Sequence, residues 1–252
     1  MKLTVVGCSG SFPGPESPAS CYLLEADHDG RTWRVLLDLG SGALGALQRF
    51  ADPLSIDAVL FTHLHPDHYF DISGLYVVWK YHPAGPRRRI PVWGPAGTAV
   101  QVARAYGLEN DPGMAAEFDF REYDGQPIEL GPFTVRTARV AHPVPGYALR
   151  VEADGRVLAY SGDTGPCAAL ADVAAQADLL LCEAAFVADR DNPKDLHLTG
   201  AQAGEVADQA KVGALVLTHI PPWHDPQQVL AEARSTFSGR LELATSGATY
   251  SL

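Results

Sequence analysis

The chain has 252 residues, 46% hydrophobic and 19% charged, enough to bury a sizeable core in one large domain or two small ones. A formal net charge of −11 disfavours partners that need a basic face, such as nonspecific nucleic acid or an anionic membrane. No apolar run approaches the roughly 18 residues of a membrane helix, and "MKLTVVGCSGSF" lacks the apolar stretch and cleavage site of a secretory signal.

Strand signals dominate the first half. "LTVVG", "CYLLEA" and "RTWRVLLDL" are short apolar or alternating runs punctuated by Gly, Pro and Asp. "SGALGALQRF" has helical spacing, and "DAVLFTH" reads as a buried strand. The segment from about Asp67 to Tyr81 is predicted helical, stopped by Pro83 and Gly85. "IPVWG" is a strand and "GTAVQVARAY" a helix. Strands return in "FDFREY", "PIEL", "FTVRTARVA", "YALRVEA" and "RVLAYSG", with a hairpin signal in "DGR" at 154–156. The chain then alternates. "CAALADVAAQA", "TGAQAGEVADQAK" and "DPQQVLAEARSTF" are helices, interleaved with the strands "DLLLCEA" and "ALVLTH". "RLELATSGATYSL" closes with strand signals. The mixture predicts two sheets covered by helices. Two stretches echo one another across the halves: "VLLDLGSG" with "VLAYSGDTG", and "DAVLFTHLHPDH" with "GALVLTHIPPWHD".

The chemistry concentrates in "FTHLHPDHYF". His63 and His65 straddle Leu64, and at a strand end residues i and i+2 share a face. Two imidazoles there can bind one cation. Asp67 and His68, beyond the turn at Pro66, point elsewhere and can serve a second. The bland alternative is a polar helix start. Three further polar residues follow apolar strands: His142, Asp163 and His219. Seven side chains are too many for one ion with an open position and suit two, bridged by a carboxylate, for which Asp163 is the natural choice. Imidazole and carboxylate suit zinc, manganese or iron. The cysteines Cys8, Cys21, Cys167 and Cys182 form no C-x-x-C pair and read as reduced cytosolic thiols.

In order along the chain, "LLDLGSG", "THLHPDH", His142, "SGDTG", "LLLCEAAF", "HLTGAQAGEVA" and "LTH" resemble the metallo-β-lactamase-fold hydrolases, and among them the ribonuclease Z-like phosphodiesterase branch. The likeness spans essentially the whole chain, 1–252, read as one hydrolase domain. It implies a four-layer αβ/βα sandwich, an α/β fold with a dinuclear metal site at the sheet edge. Metal one would take His63, His65 and His142, metal two Asp67, His68 and His219, with Asp163 between them. Asp38 would orient a ligand from behind, or else it is a turn aspartate before Gly40. Glu183 would hold and charge His197, which would stabilise the phosphoryl group and protonate the leaving oxygen. Otherwise His197 simply precedes a helix capped by Thr199. Asp67 would also accept the nucleophile's proton. The resemblance further suggests a homodimer.

Ribonuclease Z members that trim transfer RNA carry a long Gly/Pro-rich arm between the third-motif histidine and the bridging aspartate. Here His142 to Asp163 spans little more than one hairpin. Together with the acidic charge, this favours a small phosphodiester, a 3′,5′-cyclic nucleotide above all, over a large nucleic acid. An RNA 3′-end nuclease and a metal-binding member without turnover are the alternatives. Tyr69, Phe70, Tyr76 and Trp79 are either base-stacking aromatics or core. His28 and His82 read as surface and loop, His224 as a residue near the site edge, and Arg87–Arg89 as a solvated basic loop or an anion site. The Gly/Ser/Pro turn at 7–20 falls, by the resemblance, beside the active site.

Overall fold

The computed structural model describes residues 1–84 and 88–252. The first half builds one sheet. Strands β1 (Lys2–Gly7), β2 (Cys21–His28) and β3 (Arg31–Leu37) form an antiparallel meander. β4 (Ala58–Leu60), β5 (Ile90–Gly94) and β6 (Phe118–Glu122) continue from β3 in parallel. The second half repeats the plan. β7 (Ile128–Leu130), β8 (Phe133–Arg139), β9 (Tyr147–Ala153) and β10 (Arg156–Tyr160) are antiparallel. β11 (Leu179–Glu183), β12 (Ala214–Thr218) and β13 (Arg240–Leu243) then run parallel to β10. β14 (Thr249–Ser251) crosses back to pair with β1, so the two C-terminal strand signals lie in different sheets.

Three apolar cores hold these layers. Between the sheets, Leu3, Tyr22 and Leu37 meet Phe133, Leu149 and Leu181. On the outer face of the first sheet, Leu23 and Leu36 pack with Leu47 of α1 (Ala43–Leu47), Leu75 of α3 (Ile72–Tyr81) and Val102 of α4 (Thr98–Tyr106). On the outer face of the second, Leu180 and Leu217 pack with Leu170 of α5 (Ala168–Ala174), Ala203 of α6 (Gly200–Ala210) and Val229 of α7 (Pro226–Thr236). Neighbours such as Leu36 and Leu37 go to opposite cores because strand side chains alternate. Each fully buried leucine contributes roughly 1.5–3 kcal/mol, so both faces of both sheets are anchored. The order is helices, sheet, sheet, helices: the expected four-layer αβ/βα sandwich.

Two departures bear on the site. The helix expected over Asp67–Tyr81 is broken. A single turn, α2 (Pro66–Tyr69), ends before α3 begins. Asp71 sits at the break, where its N–H donates to the Leu39 carbonyl and its carboxylate accepts the Leu44 N–H at 2.8 Å. The "SGALGALQRF" helix likewise shrinks to α1. The "DGR" hairpin forms as expected, with Asp154 and Gly155 both at positive φ between β9 and β10. Of the sequence echoes, "VLLDLGSG" and "VLAYSGDTG" fall on β3 and β10, which hold matching places in the two sheets. The other pair falls on β4 and β12, which do not match. Among the described residues, no helix is long and apolar enough to cross a membrane.

Candidate metal centre

Parallel strands deliver the site residues from their carboxyl ends, where ligands of α/β sheets gather. Asp38 follows β3, His63 and His65 follow β4, Asp163 follows β10 and His219 follows β12, while Glu183 is the last residue of β11. His142 follows β8, and the Gly165 N–H donates to the Ala141 carbonyl at 2.7 Å, which ties its loop to that of Asp163. β4 ends at Leu60, so His63 and His65 stand in the loop and strand alternation does not aim them. α2 carries Asp67 and His68. It is pressed onto the turn after β3, where the Leu39 N–H donates to the His68 carbonyl at 2.7 Å. A Cβ on Gly40 would meet the Asp67 carbonyl oxygen at 1.9 Å, so only glycine allows that approach. Asp38 and His219 both hold a left-handed backbone, φ 59 and φ 56, strain of the kind that collects at functional sites.

All seven side chains singled out as ligands converge, in two groups. In the first, His65 Nδ1 lies 3.0 Å from His63 Nε2 and 3.2 Å from His142 Nε2. In the second, His219 Nε2 lies 3.0 Å from Asp67 Oδ2 and 3.2 Å from His68 Nε2. Asp163 belongs to both, with Oδ2 3.6 Å from His63 Nε2 and Oδ1 3.2 Å from His68 Nε2. Ligands about 2.0–2.1 Å from a tetrahedral ion stand roughly 3.3 Å apart, which is the spacing found. Hydrogen bonding alone leaves the groups unsatisfied. A neutral imidazole has a single N–H, yet ring nitrogens face each other here, and Asp163 Oδ1 is buried with no hydrogen-bond partner. The donor set fits divalent cations.

The surroundings prepare the ligands. Burial pulls His63 well below the ordinary histidine range and lowers His65 and His142, favouring the neutral rings a cation needs. Burial would do the same to His68, but Asp163, Asp38 and Asp67 outweigh it and raise that ring. Burial would raise Asp163, yet His219, His68 and His63 hold it well below the carboxylate range, and His68 and His219 do likewise for Asp67. Asp38, fully buried, accepts the Thr62 N–H at 2.7 Å, the Thr62 hydroxyl at 2.9 Å, the Tyr160 hydroxyl at 2.8 Å and the His68 Nδ1–H at 2.8 Å. The last bond leaves His68 Nε2 free to face the second group. His142 is set the same way, donating Nδ1–H to the Leu196 carbonyl at 3.0 Å.

Beside both groups lies the Glu183–His197 pair. Glu183, fully buried, accepts the Thr164 and Ala185 N–H groups and the His197 Nδ1–H at 2.9 Å. Burial works against a charged His197, but the Glu183 carboxylate prevails and raises it to about 9. Its ring stands 5.8 Å from that of His142 and 5.5 Å from that of His219. Thr199 does cap α6, through a capping box with Gln202, so the helix-start reading holds for Thr199 while His197 turns to the centre.

Elsewhere the expectations divide. Tyr69, Tyr76 and Trp79 are core residues with no face for a base, because α2 and α3 turn them onto the first sheet; Phe70 is exposed. His28 lies on the surface beside Asp29, and His82 ends α3. His224 joins neither metal group and lines a cavity of about 630 Å³ that contains none of the seven ligands. Arg88 pairs with buried Asp57 and Arg89 donates to the Ala115 carbonyl, while Arg87 and Gly85 lie outside the described residues. The four cysteines are free thiols. Thr62 and Tyr160, which hold Asp38, escaped notice in the sequence, although each stands within three residues of a ligand. Phe12 and Trp223, exposed at 41% and 60%, carried no periodic signal at all.

A four-layer sandwich with this histidine–aspartate edge defines a metallo-hydrolase. Residues 33–220 match the family described as "Beta-lactamase superfamily domain". The chain is 45% identical to the uncharacterized protein ML1173 of Mycobacterium leprae, across 100% of this chain and 89% of that protein. It is 31% identical to the probable metallo-hydrolase YhfI of Bacillus subtilis, across 98% of each. It is also 29% identical to the ribonuclease Z of Myxococcus xanthus, across 100% of this chain and 98% of that one. The crystal structure of YhfI superposes with a TM-score of 0.87 at 28% identity, over 99% of this chain and 98% of that one. Unliganded yeast PDE1 shares the fold, with a TM-score of 0.73 at 13% identity over 100% and 99% of the two chains. The chain belongs to the β-lactamase superfamily and is a metal-dependent hydrolase of the metallo-β-lactamase fold.

Proposed function

We propose that this hydrolase cleaves a small phosphodiester, a 3′,5′-cyclic nucleotide in preference, at a centre of two divalent cations, zinc or else manganese or iron. His63, His65 and His142 would hold one, Asp67, His68 and His219 the other, and Asp163 would bridge them. Such a pair, when bound, acidifies water and neutralises charge on phosphoryl oxygens. The protein's own residues supply the rest. Asp67, ionised, accepts a proton from the attacking water. As water adds to phosphorus, the bond to O3′ breaks, and His197 gives its Nε2 proton to the departing oxygen, leaving a 5′-monophosphate. Asp38 keeps His68 oriented.

One observation carries the choice of a phosphodiester over a thioester: the buried Glu183 carboxylate at 2.9 Å from His197 Nδ1, which keeps a proton on a ring set beside His142 and His219. A thioester, whose thiolate departs without a proton, has no need of that acid. A second reading, RNA 3′-end cleavage, draws support from the ribonuclease Z relative. The short β9–β10 hairpin between His142 and Asp163, and the charge of −11, count against it. The acidic surface and soluble composition also fit a small-molecule substrate met in the cytoplasm, by a monomer or a homodimer. The test is turnover by metal-loaded protein of cyclic AMP, bis-p-nitrophenyl phosphate and a precursor transfer RNA. Hydrolysis of the first two without RNA trimming is expected. Efficient trimming overturns the small-substrate preference, and no turnover of any overturns the phosphodiesterase reading.

A further inference from the structure

Among the exposed large apolar side chains, two stand together on loops that adjoin the candidate ligand His219. Phe12 and Trp223 meet with ring centroids 5.1 Å apart and planes inclined by 36°. Phe70, Val77, Tyr81 and Tyr106 are exposed elsewhere, on or beside α2, α3 and α4. The two rings come from loops tied to a candidate ligand. The Gly10 N–H donates to the Ile220 carbonyl at 3.2 Å, and a Cβ on Gly10 would meet the His219 carbonyl oxygen at 2.2 Å. The Ser11 N–H lies 3.4 Å from His219 Nε2, the atom that faces Asp67 and His68, and Phe12 begins one residue, about 3.8 Å, further on. Trp223 follows His219 by four residues.

Both backbones are fixed before any ligand arrives. Ser11 holds φ 63, and the Ser9 hydroxyl donates to the Phe12 carbonyl at 2.7 Å. Pro221 and Pro222 restrict the second loop, which the His224 N–H closes by donating to the Pro221 carbonyl at 3.0 Å. Aromatic rings held this way and left 41% and 60% exposed lose little freedom when a planar group lies on them. We infer that Phe12 and Trp223 form a stacking platform for the nucleobase of the substrate, setting a preference for nucleotides over phosphodiesters that lack a base. This rests on the phosphodiesterase reading above and adds the part of the substrate that is recognised.

Of the four tryptophans, Trp223 is exposed while Trp79 is buried and Trp33 and Trp93 are half-buried, so the part of the emission that Trp223→Phe removes reports on the platform. With metal-loaded protein, adenosine 5′-monophosphate should quench that emission and ribose 5-phosphate should not. Phe12→Ala and Trp223→Ala should each weaken adenosine monophosphate binding, and raise KM for cyclic AMP, by roughly 5- to 150-fold, the worth of one stacked base. The loss should fall on KM rather than kcat, and Trp223→Phe should restore most of it. Equal binding of the two monophosphates, or alanine variants that bind adenosine monophosphate like the wild type, overturns the platform. So does a variant whose only change, by light scattering, is from dimer to monomer, since the pair then covers a second copy. A protein that turns over no phosphodiester defeats the function reading alone, because the binding comparison still decides the platform.

Discussion

Replacing Asp38 with asparagine tests how a carboxylate that belongs to neither metal group aims the His68 ring that does. The carboxylate takes four hydrogen bonds, three of them on Oδ2 from Thr62, His68 and Tyr160, and one on Oδ1 from the Thr62 N–H. Asparagine keeps the shape but turns one of these atoms into a donor. With its oxygen in the Oδ2 position, its amide faces the Thr62 N–H; flipped, it faces three donors. Either way at least one charge-assisted bond is lost, roughly 1.5–3 kcal/mol. For a chain of this length that lowers Tm by roughly 3–12 °C. A weakened hold on His68 should also lower affinity by roughly 10–100-fold, the usual cost of losing the group behind a metal histidine. The loss should fall on the ion held by His68, Asp67 and His219. Chelator competition with metal quantification, alongside thermal melts, measures both effects. Wild-type affinity at both sites, or a loss confined to the His63, His65 and His142 group, refutes the reasoning.

Asp163→Ala should lower bound metal towards one ion or none and abolish turnover; unchanged stoichiometry by elemental analysis would rule out the bridge. His197→Ala should keep both ions yet cut kcat by roughly 10²–10⁴-fold on alkyl leaving groups. The cut should be smaller on nitrophenolate, and equal losses on both would exclude an acid role. Glu183→Gln bears on pH. His197 acts in its protonated form, so the rate it supports is present below its pKa and lost as pH rises through it. Glu183 is the main influence raising that value to about 9, so the glutamine variant should move the alkaline limb of kcat to lower pH. A limb that stays in place means that another group sets it. Gly40→Ala should destabilise the fold and weaken metal binding together, because its Cβ would displace the Asp67 carbonyl and with it α2; an unperturbed melt and metal content would show that the turn gives way.

Five of the seven ligands were legible because each follows a recognisable strand, and strands running the same way in a sheet end on the same edge; Asp67 and His68 stand on α2, in the same short motif as His63 and His65. Topology therefore assembles what spacing only hints at. "VLLDLGSG" and "VLAYSGDTG" resemble each other because β3 and β10 hold matching places, and each hands a carboxylate to the edge, Asp38 behind His68 and Asp163 between the two groups. Local pattern failed where tertiary contacts outbid it. Asp67–Tyr81 reads as one helix, but Asp71 spends its N–H on Leu39 and its carboxylate on Leu44, and the broken first turn is what frees Asp67 and His68 to point at the centre. The aromatics of that segment stayed open between base stacking and core for the same reason, since helical spacing cannot say which face a sheet covers; Tyr69, Tyr76 and Trp79 took the core. Phe12 and Trp223 lie in loops whose shape depends on Gly10 against His219, a contact across 209 positions that no periodicity records. The candidate centre is thus set by where the strands end and, if the platform holds, the recognition of the substrate by loops. Relatives that share the first can differ in the second, and the loop pair is where a substrate preference peculiar to this chain should be sought.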